Sequence, residues 1–156
     1  MINLAGTNWV LRVVTASASN VEVSASWVDL GGSPAVVTPG AQNTAAITAA
    51  TTTTFVPAPA SGQTRNVKGA VIANTSVGAS TLVTVQVYDG SVACQLARAL
   101  LAPGDRLALG EDGLWTHQSA QGAFAGIPVG ANMYFDRSTA PDGWLARSGQ
   151  LVSRVT

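Results

Sequence analysis

One cysteine, one histidine and one lysine stand among 156 residues, and only 10% of the chain is charged. An average soluble domain carries roughly 25%. Each shortage excludes something. The single thiol, Cys94, rules out a disulfide within the chain. It lies in an alternating apolar segment and reads as a buried, inert side chain. The single imidazole, His117, cannot supply the two or three histidines of a metal centre, short of three copies meeting on a trimer axis. Arg12, Arg65, Lys68, Arg98, Arg106, Arg137, Arg147 and Arg154 are scattered. They leave no electrostatic footprint for nucleic acid. No apolar run approaches the ~20 residues that span a bilayer. The start, Met1-Ile2-Asn3-Leu4, has neither the basic residues nor the apolar stretch of a signal peptide. The expectation is a protein made in the cytoplasm and used without secretory export, with no membrane partner.

What is present is apolar and small. Hydrophobic residues make up 47% of the chain, and the formal net charge is zero. Ala and Val supply much of that fraction, which suits thin sheets better than a thick helical core. Val21, Val23, Ala25 and Trp27 alternate with Glu22, Ser24 and Ser26, the period of a half-buried strand. Leu11–Thr15 and Ala35–Thr38 read as shorter strands, the second closed by Pro39-Gly40. Residues 42–56, with their run of threonines, read as extended rather than helical. Pro57–Gly62 is a stiff exposed connection. Val67–Ala73 precedes a turn at Asn74-Thr75-Ser76. Leu82–Tyr88 and Val92–Leu101 flank Asp89-Gly90, a two-residue hairpin signal. Arg106–Leu109 and Leu114–His117 close a last hairpin. About eight short strands with Gly, Pro and Asp turns predict an all-β fold, an antiparallel β-sandwich or jelly-roll-like domain.

That domain covers residues 1–120. Gly122, Gly126, Pro128 and Gly130 mark 121–130 as a linker, and 131–156 is a short C-terminal extension. Being too short to fold alone, the extension calls for a partner chain or for further sequence beyond Thr156.

Catalytic patterns are weak. No Gly-x-Ser-x-Gly elbow singles out a nucleophile. Asp89, Asp105, Asp112 and Asp142 adjoin glycines in turns, and Glu22 lies on a polar strand face. Local turn roles therefore explain the acidic residues better than a glycosidase pair or a calcium site at Glu111-Asp112. No phosphate loop occurs. No catalytic, cofactor or metal residue is assigned. The tryptophans are the remaining lead. Trp27 belongs to the apolar strand face and to the core. Trp115, Trp144 and Leu145 are the candidate interface residues, since aromatic anchors are favoured where chains meet.

Two stretches bear a resemblance. Arg12-Val13-Val14-Thr15, Ala25–Leu30, Thr38-Pro39-Gly40, Thr51–Thr54, Ala58–Gly62, Arg65–Lys68 and Tyr88-Asp89-Gly90 follow one another in order. The succession, over about residues 8–120, resembles phage virion proteins with fibre- or tail-associated N-terminal modules. Ser138-Thr139-Ala140-Pro141-Asp142-Gly143-Trp144-Leu145, then Gly149 and Ser153-Arg154, is similar to the opening of the phage tail-collar domain. Arg147-Ser148 stands where that domain has Cys-Asp. The resemblance implies a non-enzymatic structural component of the virion, a homotrimer docking on other virion proteins of tail, fibre, neck or capsid. The alternative is an adhesin module binding host-surface glycans or proteins.

Overall fold

The structure, a computed structural model, describes residues 1–120. These residues form ten strands and no helix. In chain order they are β1 (Ile2–Leu4), β2 (Val10–Thr15), β3 (Val21–Gly31), β4 (Val36–Ile47), β5 (Thr52–Val56), β6 (Gln63–Asn74), β7 (Thr81–Tyr88), β8 (Ala93–Leu101), β9 (Arg106–Leu109) and β10 (Trp115–Gln118). Sheet A runs β10-β9-β6-β3-β4, and β1 also pairs with β6. Sheet B runs β5-β2-β7-β8. Every pairing is antiparallel. The two sheets pack into a β-sandwich, the all-β architecture expected from the alternation.

The period of two explains the packing directly. In β3 Val21, Val23, Ala25, Trp27 and Asp29 point inward, and Glu22, Ser24 and Ser26 point to solvent. In β2 Leu11, Val13 and Thr15 are buried. In β7 Thr81, Val83 and Val85 are buried. Leu4, Phe55, Val56, Val67, Ile72 and Leu101 complete the fully enclosed apolar centre. β6 is the long spine of sheet A. β3 lies along one side of it, while β1 takes residues 65–67 and β9 takes residues 70–73 of the other.

Several details depart from the sequence reading. Pro39-Gly40 does not close a strand but lies within β4. β4 is an edge, where a residue without an N–H is tolerated. Gly40 faces Trp27: a Cβ there would stand 2.4 Å from the indole Nε1. The extended stretch 42–56 is two strands in different sheets, parted between Ile47 and Thr52. The Asp89-Gly90 hairpin has a four-residue loop, since Tyr88 pairs with Ala93. Asn74 ends β6 and is fully buried, not a turn residue at the surface.

Cys94 is exposed rather than buried. An irregularity in β8 opposite Val85–Gln86 breaks the alternation: Val85 pairs with Ala97, but Gln86 pairs with Gln95. The bulge sets Cys94 opposite Val87, and its exposure comes from its place at the loop end of the β7–β8 hairpin, where residues 89–96 are all exposed. Trp144 and Leu145, with the linker and the collar-like segment, lie outside the described residues.

Candidate assembly interface

Three polar constellations were candidates for chemistry, and each is occupied in holding the sandwich together. Arg65 on β6 sits beside Asp29 on β3 as a register partner. Its Nε and Nη2 donate to the two carboxylate oxygens of Asp29 at 2.7 Å each, and Nη1 donates to the Pro57 carbonyl at 2.7 Å. The guanidinium also lies 4.4 Å from the centre of a Trp27 ring. Its fork bond holds the Asp29 carboxyl below the usual carboxylate range. Each of the three guanidinium nitrogens thus donates within the sandwich.

Asp105 caps the turn between β8 and β9. Its carboxylate accepts from the Ala120 N–H at 2.9 Å and the Ala102 N–H at 3.1 Å, and His117 Nε2 lies 3.0 Å from it. The Ala120 N–H is the largest cause of its lowered pKa. A His–Asp pair of this kind could orient a base; the partner of His117 among the described residues is Asp105. The turn role assigned to Asp105 holds, as it does for Asp89, which accepts from Ser91 and Val92, and for Asp112, which accepts from Leu114.

Asn74 forms the third constellation, which sequence reasoning missed. Its Oδ1 accepts from Ser19 Oγ at 3.0 Å and the Ser76 N–H at 3.1 Å. Its Nδ2 donates to the carbonyls of Ala79 at 2.8 Å and Leu101 at 2.9 Å. The last bond links β6 of sheet A to β8 of sheet B. No spacing signal announces such a hub, because Ser19 and Leu101, two of its four partners, come from distant parts of the chain.

Among the described residues no three His, Cys, Asp or Glu side chains come together as a cation site. Among the described residues, two depressions on the outside of sheet A are shallow, and a third, of about 340 Å³, is lined by Met1, Lys68 and Glu111. One of the two, of about 380 Å³, is lined by Glu22, Ser24, Asn43, Thr44 and Val71, and the other, of about 270 Å³, by Ser26, Ala41 and Gly69. Small side chains over open strands give a substrate little to be enclosed by.

The surface features that remain are apolar edges. Trp115 is half-buried and packs against the core, its indole Nε1 enclosed with no partner among the described residues. Trp9 is more open and lies against Gly6. Among the described residues β8 is one of the two edges of sheet B, β5 being the other. On β8 Leu96 is 39% and Leu100 61% exposed. Natural sheets guard such edges with proline, lysine or short length. β8 has nine residues and neither proline nor lysine; it carries the charged Arg98 and a bulge at Leu96. β4, the opposite kind of edge, carries Pro39 and the left-handed Ala46. Compared with protein-family models, with curated proteins and with solved structures, the chain matches none of them.

Proposed function

We propose that the chain is a non-enzymatic structural subunit of a bacteriophage particle, assembling with copies of itself and docking on other virion proteins. One observation carries the assembly part: β8, a nine-residue edge strand with exposed leucines. The low charge and the single lysine support it, because a surface covered by neighbours needs fewer solvating groups. The virion part draws on the resemblance of residues 8–120 to fibre-associated modules and of residues 138–154 to the collar opening. A homotrimer follows by analogy with those proteins. An adhesin would favour exposed tryptophans on loops; Trp9, on the loop before β2, is exposed, whereas Trp27 and Trp115 are taken into the sandwich.

Gold labelling of phage particles with an antibody against the chain tests the reading. Gold confined to one part of the particle is the expected result. Its absence from both intact and disrupted particles would reject the reading and turn attention to glycan binding.

A further inference from the structure

Sheet B is cationic and has no acid of its own. Its strands β2, β5, β7 and β8 contain Arg12 and Arg98 and not one Asp or Glu. The nearby Asp89 is held by the N–H groups of Ser91 and Val92 in the β7–β8 loop. Arg12 is fixed in place, its guanidinium 3.7 Å from the centre of the Tyr88 ring. Its Nε is enclosed without an acceptor among the described residues. Arg98 is exposed on β8 and forms no ion pair among them.

Arg98 is flanked on its own strand by Leu96 and Leu100. It pairs with Thr84 across the sheet, and Leu100 pairs with Leu82. A strand added to the free side of β8 would lie about 4.8 Å away. Directly opposite side chains would then be about 5 Å apart between Cβ atoms. The residue opposite Arg98 would face a guanidinium fork, the residue two places to one side would face Leu100, and on the other side lies Leu96, the unpaired residue of the β8 bulge.

We propose that the β8 edge receives an extended segment of a different polypeptide, in which an Asp or Glu stands between apolar residues two positions away on either side. The inference rests on reading the chain as an assembly subunit and supplies the chemistry of one neighbour. Main-chain bonds to the open edge give the attachment, and the Leu-Arg-Leu row selects the sequence. A nucleic acid cannot extend the ladder and calls for many more cations than one arginine. A second copy pairing β8 with β8 in the register centred on residue 98 sets arginine opposite arginine, which repels. No strand among the described residues carries an acid between apolar alternates on an exposed edge: Glu22 and Asp29 are both on β3, inside sheet A.

The test is NMR titration of the full chain with capped synthetic peptides ~10 residues long. They are built of Ser and Thr, with Leu, X and Leu at alternate central positions and X as Glu, Ser or Lys. The Glu peptide is expected to bind, with shifts concentrated in the amides of β7 and β8. The Ser and Lys peptides should be weaker by about fivefold or more, the scale of one cross-strand charge pair. Arg98→Glu should reverse the preference toward the Lys peptide. Leu100→Lys, at an exposed position, should weaken all three.

Equal affinity for the three peptides, no binding at ~1 mM, or shifts centred elsewhere would overturn the proposal. So would β8 edge amides that are already protected from exchange in the free protein, since the edge would then be filled. Peptide binding by a chain absent from particles would retire the virion reading alone. A labelled particle without peptide binding would retire the strand addition alone.

Discussion

Asn74 is the residue on which most depends per atom. Both lone-pair sites of its carbonyl and both amide hydrogens are matched by Ser19, Ser76, Ala79 and Leu101. A buried amide so completed stabilises modestly, but its removal strands the groups it served. Asn74→Ala is expected to cost about 3 kcal/mol, read by urea denaturation, because at least two buried partners lose their bonds. Ser19→Ala, which leaves the Leu101 carbonyl satisfied, should cost about 1 kcal/mol. Equal, small losses for the two would show that the link between the sheets does not run through Asn74.

At the scale of the element, β4 illustrates how an edge strand tolerates residues that elsewhere end strands. Pro39 sits opposite Val28, and Gly40 opposite Trp27. Gly40 is required by space: the indole occupies the volume a methyl would fill. Gly40→Ala must displace Trp27 or the strand, and should cost about 2 kcal/mol, the overpacking scale. Gly69 on β6 is the control, since a Cβ there meets nothing nearer than 3.8 Å. Gly69→Ala should change stability by less than about 0.5 kcal/mol. Near-UV circular dichroism and urea melts on both variants check the contrast; equal effects would mean the Trp27 contact is not the cause.

For the molecule as a whole, pH is the lever that acts on several joints together. Asp29 and Asp105 both have folded pKa values below the ordinary carboxylate range, through the Arg65 fork and the Ala120 N–H respectively. A depressed folded pKa means that the unfolded chain binds protons first as pH falls. The stabilisation is therefore complete above the unfolded carboxylate pKa of about 3.9 and is lost as pH drops through the folded values. Stability should be flat from neutrality to about pH 5 and fall steeply in stronger acid. Asp29→Asn should flatten part of that acid slope. At neutral pH it should cost about 2 kcal/mol, below the deeply buried range, since about a tenth of each partner stays open to water. An unchanged slope in the variant would remove Asp29 from the account.

The strand content, the alternation in β2, β3 and β7 and the turns at Asp89-Gly90 and Glu111–Gly113 were readable before any fold was known. Each depends on residues within reach of one another along the chain. The Asp29–Arg65 pair, 36 residues apart, was not readable, and neither was the Asn74 hub, whose partner Ser19 is 55 residues away. Their partners are chosen by strand order. The same holds for the candidate interface. Trp115 stood out as an aromatic, but its place against the core follows from β10 lying beside β9. The β8 edge went unremarked, because openness belongs to a sheet and not to a strand.

By itself, then, the sequence determined the class of structure: period two makes strands, and Gly and Asp make turns. Tertiary structure alone decided which strands are edges, that Cys94 is exposed, and which polar groups meet inside. The physical reason is that side-chain alternation is a local property of an extended backbone. Sheet order, register shifts and burial are set by residues that become neighbours only once the two sheets close on each other.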